Sequence, residues 1–238
     1  DVRKRISHLG SNTLIVRPAR KHRGGIALQS GSVTRFTIRD SREIREIPGV
    51  IKVAPCVGGN GQVVYKNKNW NTRITGTTVD HPGMWDLQPK IGRYFTETET
   101  TLRQRVAVIG QTVVENLFGT KNPIGEFIKI RKIDFQIIGI LPVKGSSGWR
   151  NRDDEIFIPL NTAMYRLLGR KYIDYIDVQV SDSHLLDRVT GRIKKLITTL
   201  HRLPSSSEDT INVMNMTEIQ ETISSTMKTF SFLLGSIA

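Results

Sequence analysis

The chain is short of several things, and each shortage closes off a class of protein. It has one cysteine, Cys56, among 238 residues, so no intrachain disulfide can form. Cys56 follows Val53, Ala54 and Pro55 in an apolar stretch and reads as a packed, inert thiol. The five histidines are His8, His22, His81, His184 and His201, and in sequence none has a second His, Cys or carboxylate at metal spacing. There is no Gly-x-Ser-x-Gly, no Walker loop and no Gly-x-Gly-x-x-Gly after a strand. No catalytic, cofactor-binding or metal-binding residue is therefore assigned. Long apolar runs are missing too. The last residues, 229–238, TFSFLLGSIA, carry no charge and make up about half of the roughly 20 residues that cross a bilayer. No signal peptide is visible in the opening DVRKRISH.

Acidic residues are also scarce. Asp plus Glu is 22 against 35 Lys plus Arg, a formal charge of +13. That surplus permits binding to nucleic acid, anionic lipid or an acidic protein. It is dispersed, with local clusters at 17–23 (RPARKHR) and 144–152 (beside Trp149), and reads as a solvated basic surface. A basic nucleic-acid-binding module is the alternative that charge alone offers. The 38% apolar share suits a folded chain rather than a disordered one.

What is present is regular structure. Residues 105–130, RVAVIGQTVVENLFGTKNPIGEFIKI, organise the rest. A β-branched run at 105–109 predicts a buried strand, broken by Gly110. From Gln111 to Phe118, Val113 stands over Leu117 and Val114 over Phe118, which predicts a short helix with one apolar stripe. Gly119 occupies a left-handed C-terminal position. Pro123 and Gly125 shape the turn into a second strand carrying Ile128 and Ile130 on one face. This spacing predicts special backbone geometry at Gly110, Gly119 and Gly125, and burial of Val114, Leu117 and Phe118. The module holds no reactive group; Gln111, Asn116 and Pro159 join it as structural motif residues.

The flanking texture is layered. Strand, helix and strand are expected over 12–57, with Thr37 capping a helix over 38–47 and Asp40 bonding back to the cap. Residues 58–61 mark a change of texture into strands and turns, with a hairpin around Asn67-Lys68-Asn69. Residues 76–100 read as irregular. From Glu155 the first texture returns: a strand at 155–160, a helix capped by Asn161, and a strand whose Ile176, Val178 and Val180 face a core. A long helix capped by Asp182 or Ser183 then carries Leu186, Val189, Ile193, Leu196 and Leu200. A strand at 210–214 follows, with Asn215 and Glu218 capping a last helix. The fold class is α+β: a split, ferredoxin-like α/β subdomain at 1–57 and 155–228 around an inserted β-rich subdomain at 58–154.

Two side-chain groups stay open. Asp153, Asp154 and Glu155 read as a solvated acidic cluster, with cation binding as the other possibility, and Glu97 and Glu99 carry the same solvated reading. Tyr65, Trp70, Trp85 and Trp149 lie near turns and are either exposed partner anchors or covers for a thin β core.

The motif VAVIGQTVVENLFGTKNPIGEFIKI at 106–130, followed by FQIIGIL and DDEIFIPLNTA, resembles the MacB-like periplasmic core domain of ABC transporter permeases, within the MacB, FtsX and LolC-type superfamily. LGSNTLIVRP, IPGVIKVAPCV, ITGTT and GRYFTETE extend the resemblance over nearly the whole chain. It implies a porter-like subdomain with a β-rich insertion. It also implies helices at both chain ends leading to membrane spans, one before Asp1 and one beginning near Lys228, so that residues 229–238 would start a truncated transmembrane helix. The resemblance further implies a non-catalytic fragment that carries motion from an ABC ATPase binding ATP and Mg in the cytoplasm. Implied partners are that ATPase, a MacA-like adaptor and a TolC-like outer-membrane channel. The transporter would be a homodimer in the inner membrane, with this domain on the periplasmic or extracellular side, a monomer when isolated, and no nucleic acid bound. A cell-envelope enzyme is the third alternative. The basic loop 17–23 departs from the family pattern.

Overall fold

A computed structural model describes residues 12–19, 22–23, 26–27, 35–147, 150–203, 211–216 and 218. The strands in chain order are β1 (Thr13–Pro18), β2 (His22–Arg23), β3 (Ile26–Ala27), β4 (Val50–Tyr65), β5 (Lys68–Thr77), β6 (Ile91–Gly92), β7 (Val106–Ile109), β8 (Phe127–Ile130), β9 (Ile133–Ile140), β10 (Ser146–Ser147), β11 (Arg150–Asn151), β12 (Glu155–Pro159), β13 (Tyr175–Val180) and β14 (Ile211–Asn215). The helices are α1 (Ile38–Arg45), α2 (His81–Met84), α3 (Glu97–Thr101), α4 (Gln111–Leu117), α5 (Leu160–Thr162, continued by a wide π turn over Ala163–Leu167) and α6 (Leu186–Leu200). The result is a mixed α/β fold with a sheet-rich body.

The chain forms two compact units, one of residues 1–34, 42–53 and 177–238, the other of 35–41 and 54–176. The expected subdomains divide the chain elsewhere, at 57/58 and 154/155. The physical reason is β12. It pairs in parallel with β5 and antiparallel with β7, so it lies inside the second unit's sheet.

In the first unit β14 pairs antiparallel with β1, from Leu14 opposite Asn215 to Pro18 opposite Ile211. Asp182 accepts a hydrogen bond from the His184 N–H at 2.9 Å, and a 3₁₀ turn then leads into α6. The buried stripe of α6 is Leu186, Val189, Ile193 and Ile197, while Leu196 and Leu200 are half-exposed. Ile197 takes the place expected for Leu196 because the 3.6-residue period moves the buried position on by one. Gly49, at φ +99°, lets the chain turn against Leu185 and Val189.

In the second unit the sheet closes on itself. Following pairings, β4 is next to β5, β5 to β12, β12 to β7, β7 to β9, β9 to β8, and β8 returns to β4 through Val63 opposite Ile130. A closed ring leaves no open edge among these six strands. Val63, Ile128, Ile130, Phe135 and Ile137 are fully buried. Burial of each such side chain stabilises by about 1.5–3 kcal/mol. The hairpin from β8 to β9 turns through Arg131 (φ 45°) and Lys132 (φ 72°).

Three local readings change. Residues 58–61 do not end a strand: β4 runs 16 residues straight through them. Gly58 is there for proximity, since a Cβ on it would meet the Ile74 carbonyl oxygen at 2.2 Å, whereas nothing lies within 4 Å of one on Gly59. Asn161 does not cap a helix, because α5 begins at Leu160 with no side-chain cap bond. In β13, Tyr175 and Asp177 are buried along with Ile176, Val178 and Val180, so both faces of that strand are covered. The cap of α1 is as expected: the Thr37 N–H donates to Asp40 Oδ2 at 2.7 Å and the Asp40 N–H to Thr37 Oγ1 at 3.4 Å. Among the described residues no helix is long and apolar enough to cross a membrane. The helix implied at the N-terminal end, the last helix beyond 218, the segment 229–238, Trp149 and residues 20–21 of the basic loop lie outside the described residues.

Candidate functional site

The module at 105–130 is built as a strand, a helix and a turn set against the ring. Val113 and Leu117 are buried, as are Val114 and Phe118. The Phe118 ring lies 4.1 Å from that of Tyr65. The start of α4 is held by the segment before β12: the Gly110 N–H donates to the Glu155 carbonyl and the Thr112 N–H to the Asp153 carbonyl, both at 2.9 Å. Its end is closed by Gly119 at φ +67°, whose N–H donates to the Val114 carbonyl at 3.1 Å.

The three glycines divide by cause. Gly119 and Gly125 hold positive φ, +67° and +88°, as expected. Gly125 follows Pro123 and Ile124 in a turn closed by Glu126 N–H to the Pro123 carbonyl at 3.0 Å. Gly110 does not share that geometry. Its φ of −78° and ψ of 162° are ordinary. A Cβ there would meet the Asp153 carbonyl oxygen at 2.4 Å, so the requirement is steric. Asn116 Nδ2 donates to the Thr112 carbonyl at 2.7 Å, and Gln111 lies 3.4 Å from Glu115 on the exposed side. Pro159 is buried at the end of β12, where its extended backbone precedes α5.

The acidic cluster is interior rather than solvated. Glu155 is 1% exposed, takes a 2.5 Å hydrogen bond from Thr75 and lies 3.4 Å from Arg73. The Asp153 carboxylate accepts the N–H groups of Lys144 and Gly145, each at 2.8 Å. Asp154 accepts from Trp70 Nε1 at 2.8 Å. The donors come from residues up to 84 positions away, which is why local sequence gave no sign of them. Glu99 is likewise engaged: with Thr96 it closes a capping box on α3, and Arg93 reaches both its oxygens at 2.8 Å. The Arg93 hydrogen bond, with help from Thr96, holds the Glu99 carboxyl down at about 2. Burial pushes the Tyr94 hydroxyl well above its usual range, with Cys56 and Glu155 adding to the effect. Cys56 is buried, 3.3 Å from the Thr77 hydroxyl.

Of the four aromatics left open between partner anchors and core covers, the three described ones contact other parts of the fold. Trp85 is 2% exposed under the Arg152 guanidinium, 4.2 Å from its ring centre, and is therefore not a surface anchor. Trp70 is half-buried on Asp154. Tyr65 is half-buried on Phe118, with its hydroxyl donating to Glu126 at 3.0 Å. The exposed large apolar side chains of this unit are others, including Leu102, Phe127 and Tyr165. Leu102 ends α3, Phe127 stands in β8 on the face away from Ile128 and Ile130, and Tyr165 lies in the π turn; a single apolar residue on an expected solvent face does not announce a contact in sequence.

Comparison with known proteins places this arrangement. A family model described as the MacB-like periplasmic core domain matches residues 1–196. The macrolide export ATP-binding/permease protein MacB of Bdellovibrio bacteriovorus is 44% identical over all of this chain, which spans 37% of that relative. The pyoverdine export ATP-binding/permease protein PvdT of Pseudomonas aeruginosa is 36% identical over 84% of the chain and 30% of the relative. Thus the chain spans about a third of the length of the curated relatives it matches. Among solved structures, the periplasmic region of MacB from Actinobacillus actinomycetemcomitans superposes with a TM-score of 0.75 at 21% identity, covering 92% of this chain and 95% of that one. The extracellular domain of the noncanonic ABC-type transporter YknZ from Gram-positive bacteria gives 0.70 at 18% identity, covering 86% and 100%. These structural likenesses speak for the fold, and the sequence matches for descent: the chain belongs to the MacB-like periplasmic core domain family of ABC transporter permeases.

Proposed function

We propose that this chain is the extracytoplasmic transmitter and partner platform of an ABC permease, coupling ATP hydrolysis in the cytoplasm to export outside it. The observation that carries this reading is the match of the entire chain, at 44% identity, to a protein named as an export ATP-binding/permease. The closed ring and its packed module support it physically. A close-packed core passes displacement on instead of absorbing it, and a ring without edges resists shear. In this reading the chain combines a porter-like layer with a β-rich insertion, and helices at both ends lead to spans of the inner membrane. An associated ABC ATPase, fused or separate, binds ATP and Mg, and this fragment catalyses nothing itself. The transporter is a homodimer that engages a MacA-like adaptor and a TolC-like channel. The names of the relatives point to small organic compounds as cargo.

The test is a full-length transporter in which residues 10–215 are replaced by a short linker. Export is expected to stop while the ATPase still hydrolyses ATP. Export at the wild-type rate would refute the reading.

A further inference from the structure

The second unit carries an exposed strip in which apolar side chains alternate with cations. Leu102 is 61% exposed, Phe127 59% and Tyr165 40%. Folded surfaces expose such side chains singly; grouped ones mark contact sites. Three observations group these. The Arg103 guanidinium lies over the Tyr165 ring, 4.4 Å from its centre, next in sequence to Leu102. Arg105 and Phe127 line one open groove of about 470 Å³ together with Gln104, Val106, Asp134 and Gln136. The pairing register explains the groove: Val106 and Phe127 both stand opposite Gln136, on either side of it, so the three side chains share one face.

The charge of this surface selects its occupant. The charged groups that the contacts place on it are Arg103, Arg105 and Lys129 against Asp134. Asp134 lies 3.9 Å from Lys129, so the one carboxylate of the groove already faces a cation and the two arginines set its sign. We propose that the strip from Tyr165 and Arg103 to Arg105 and Phe127 is a docking surface for a partner-protein segment that alternates acidic and apolar side chains. Its apolar groups enter beside Phe127 and Leu102, and its carboxylates meet Arg103 and Arg105. Tyr, Phe and Arg are the residue types that anchor such contacts. The proposal extends the partner-platform part of the proposed function, yet it can fail while the coupling of motion to export stands.

The test is a ¹⁵N NMR titration of the chain with three probes: a synthetic peptide of alternating Glu and Leu, its Lys/Leu counterpart, and phosphatidylglycerol bicelles. The Glu/Leu peptide is expected to shift amide signals at residues 102–106, 127 and 165. An Arg103→Glu/Arg105→Glu double variant is expected to weaken it at least tenfold, and Phe127→Ser to weaken it severalfold. Charge reversal at Lys90 and Arg170, outside the strip, is expected to change affinity less than twofold. Signal dispersion checks that each variant is folded. No shift with the Glu/Leu peptide, equal binding by the Arg103/Arg105 variant, equal binding of the Lys/Leu peptide, or a response of this strip to the bicelles would each overturn the proposal.

Discussion

Gly110→Ala is the sharpest probe of the module, because alanine is compatible with the local backbone and only the neighbours object. At φ −78° and ψ 162° alanine has no intrinsic penalty. The new methyl group would sit 2.4 Å from the Asp153 carbonyl oxygen, 2.8 Å from its carbon and 3.1 Å from the Arg152 oxygen. All three are backbone atoms, so no side chain can swing away. Relief means moving the start of α4 from the Asp153–Glu155 segment, which stretches the Gly110 and Thr112 hydrogen bonds at 2.9 Å. Overpacking of this kind costs about 1–3 kcal/mol, and each weakened hydrogen bond up to about 1 kcal/mol. The expected loss is therefore about 2–4 kcal/mol, read as a lower urea midpoint at unchanged slope. Gly119→Ala is the control: nothing lies within 4 Å, and only the φ of +67° opposes it, for about 1–2 kcal/mol. If Gly110→Ala costs less than Gly119→Ala, the steric account of Gly110 is wrong.

Four further outcomes follow from the geometry. Glu99 has a folded value of about 2 against an ordinary 4.5, so its contribution is present above pH 4.5 and is lost as pH falls toward 2. That difference would be worth ~3 kcal/mol in isolation, but the exposed Arg93 is screened, so Glu99→Gln is expected to cost about 1 kcal/mol at pH 7; urea melts at pH 7 and pH 2.5 should show the deficit shrink severalfold at the lower pH. Tyr94→Phe removes a buried hydroxyl with no hydrogen-bond partner among the described residues, so thermal melts should show unchanged or raised stability, by up to about 1 kcal/mol. Gly191→Ala, in the exposed middle of α6 with nothing within 4 Å, should stabilise by about 0.5–1 kcal/mol in the same assay. Arg131→Asn with Lys132→Gly, at two adjacent positive-φ positions, should raise the denaturation midpoint without changing the pairing of β8 and β9 seen by NMR.

What could be read from the sequence was what is encoded locally. The stripe of Val113, Val114, Leu117 and Phe118, the left-handed Gly119 and Gly125, and the Thr37–Asp40 cap each depend on residues within a few positions. The Thr96–Glu99 box was equally local. It was read as solvated because no apolar run follows it to announce a helix. Other features depend on distant partners. Nothing near Glu155 in sequence reveals Thr75 and Arg73, and nothing near Ile130 reveals that Val63 closes the ring. Gly58 looked like a strand breaker because glycine signals a turn and a close backbone approach in the same way; only the position of Ile74 tells them apart. Gly110 is the same case: a glycine at a strand end predicts unusual φ, and only the Asp153 carbonyl shows the requirement to be steric. The alternation of Ile128 and Ile130 puts Phe127 on the outer face of β8, but Leu102 and Tyr165 have no such pattern, and the conspicuous tryptophans Trp70 and Trp85 are bound to Asp154 and Arg152.

The most direct test of the transmission claim is the number of cargo molecules exported per ATP hydrolysed by the full-length transporter in liposomes, with and without Gly110→Ala. The measurement is made at a temperature where the altered domain stays folded. A domain that carries motion should, when its module is loosened, leave hydrolysis running and lower the export per ATP. An unchanged ratio, with hydrolysis and export moving together, would contradict the claim that this domain transmits the stroke.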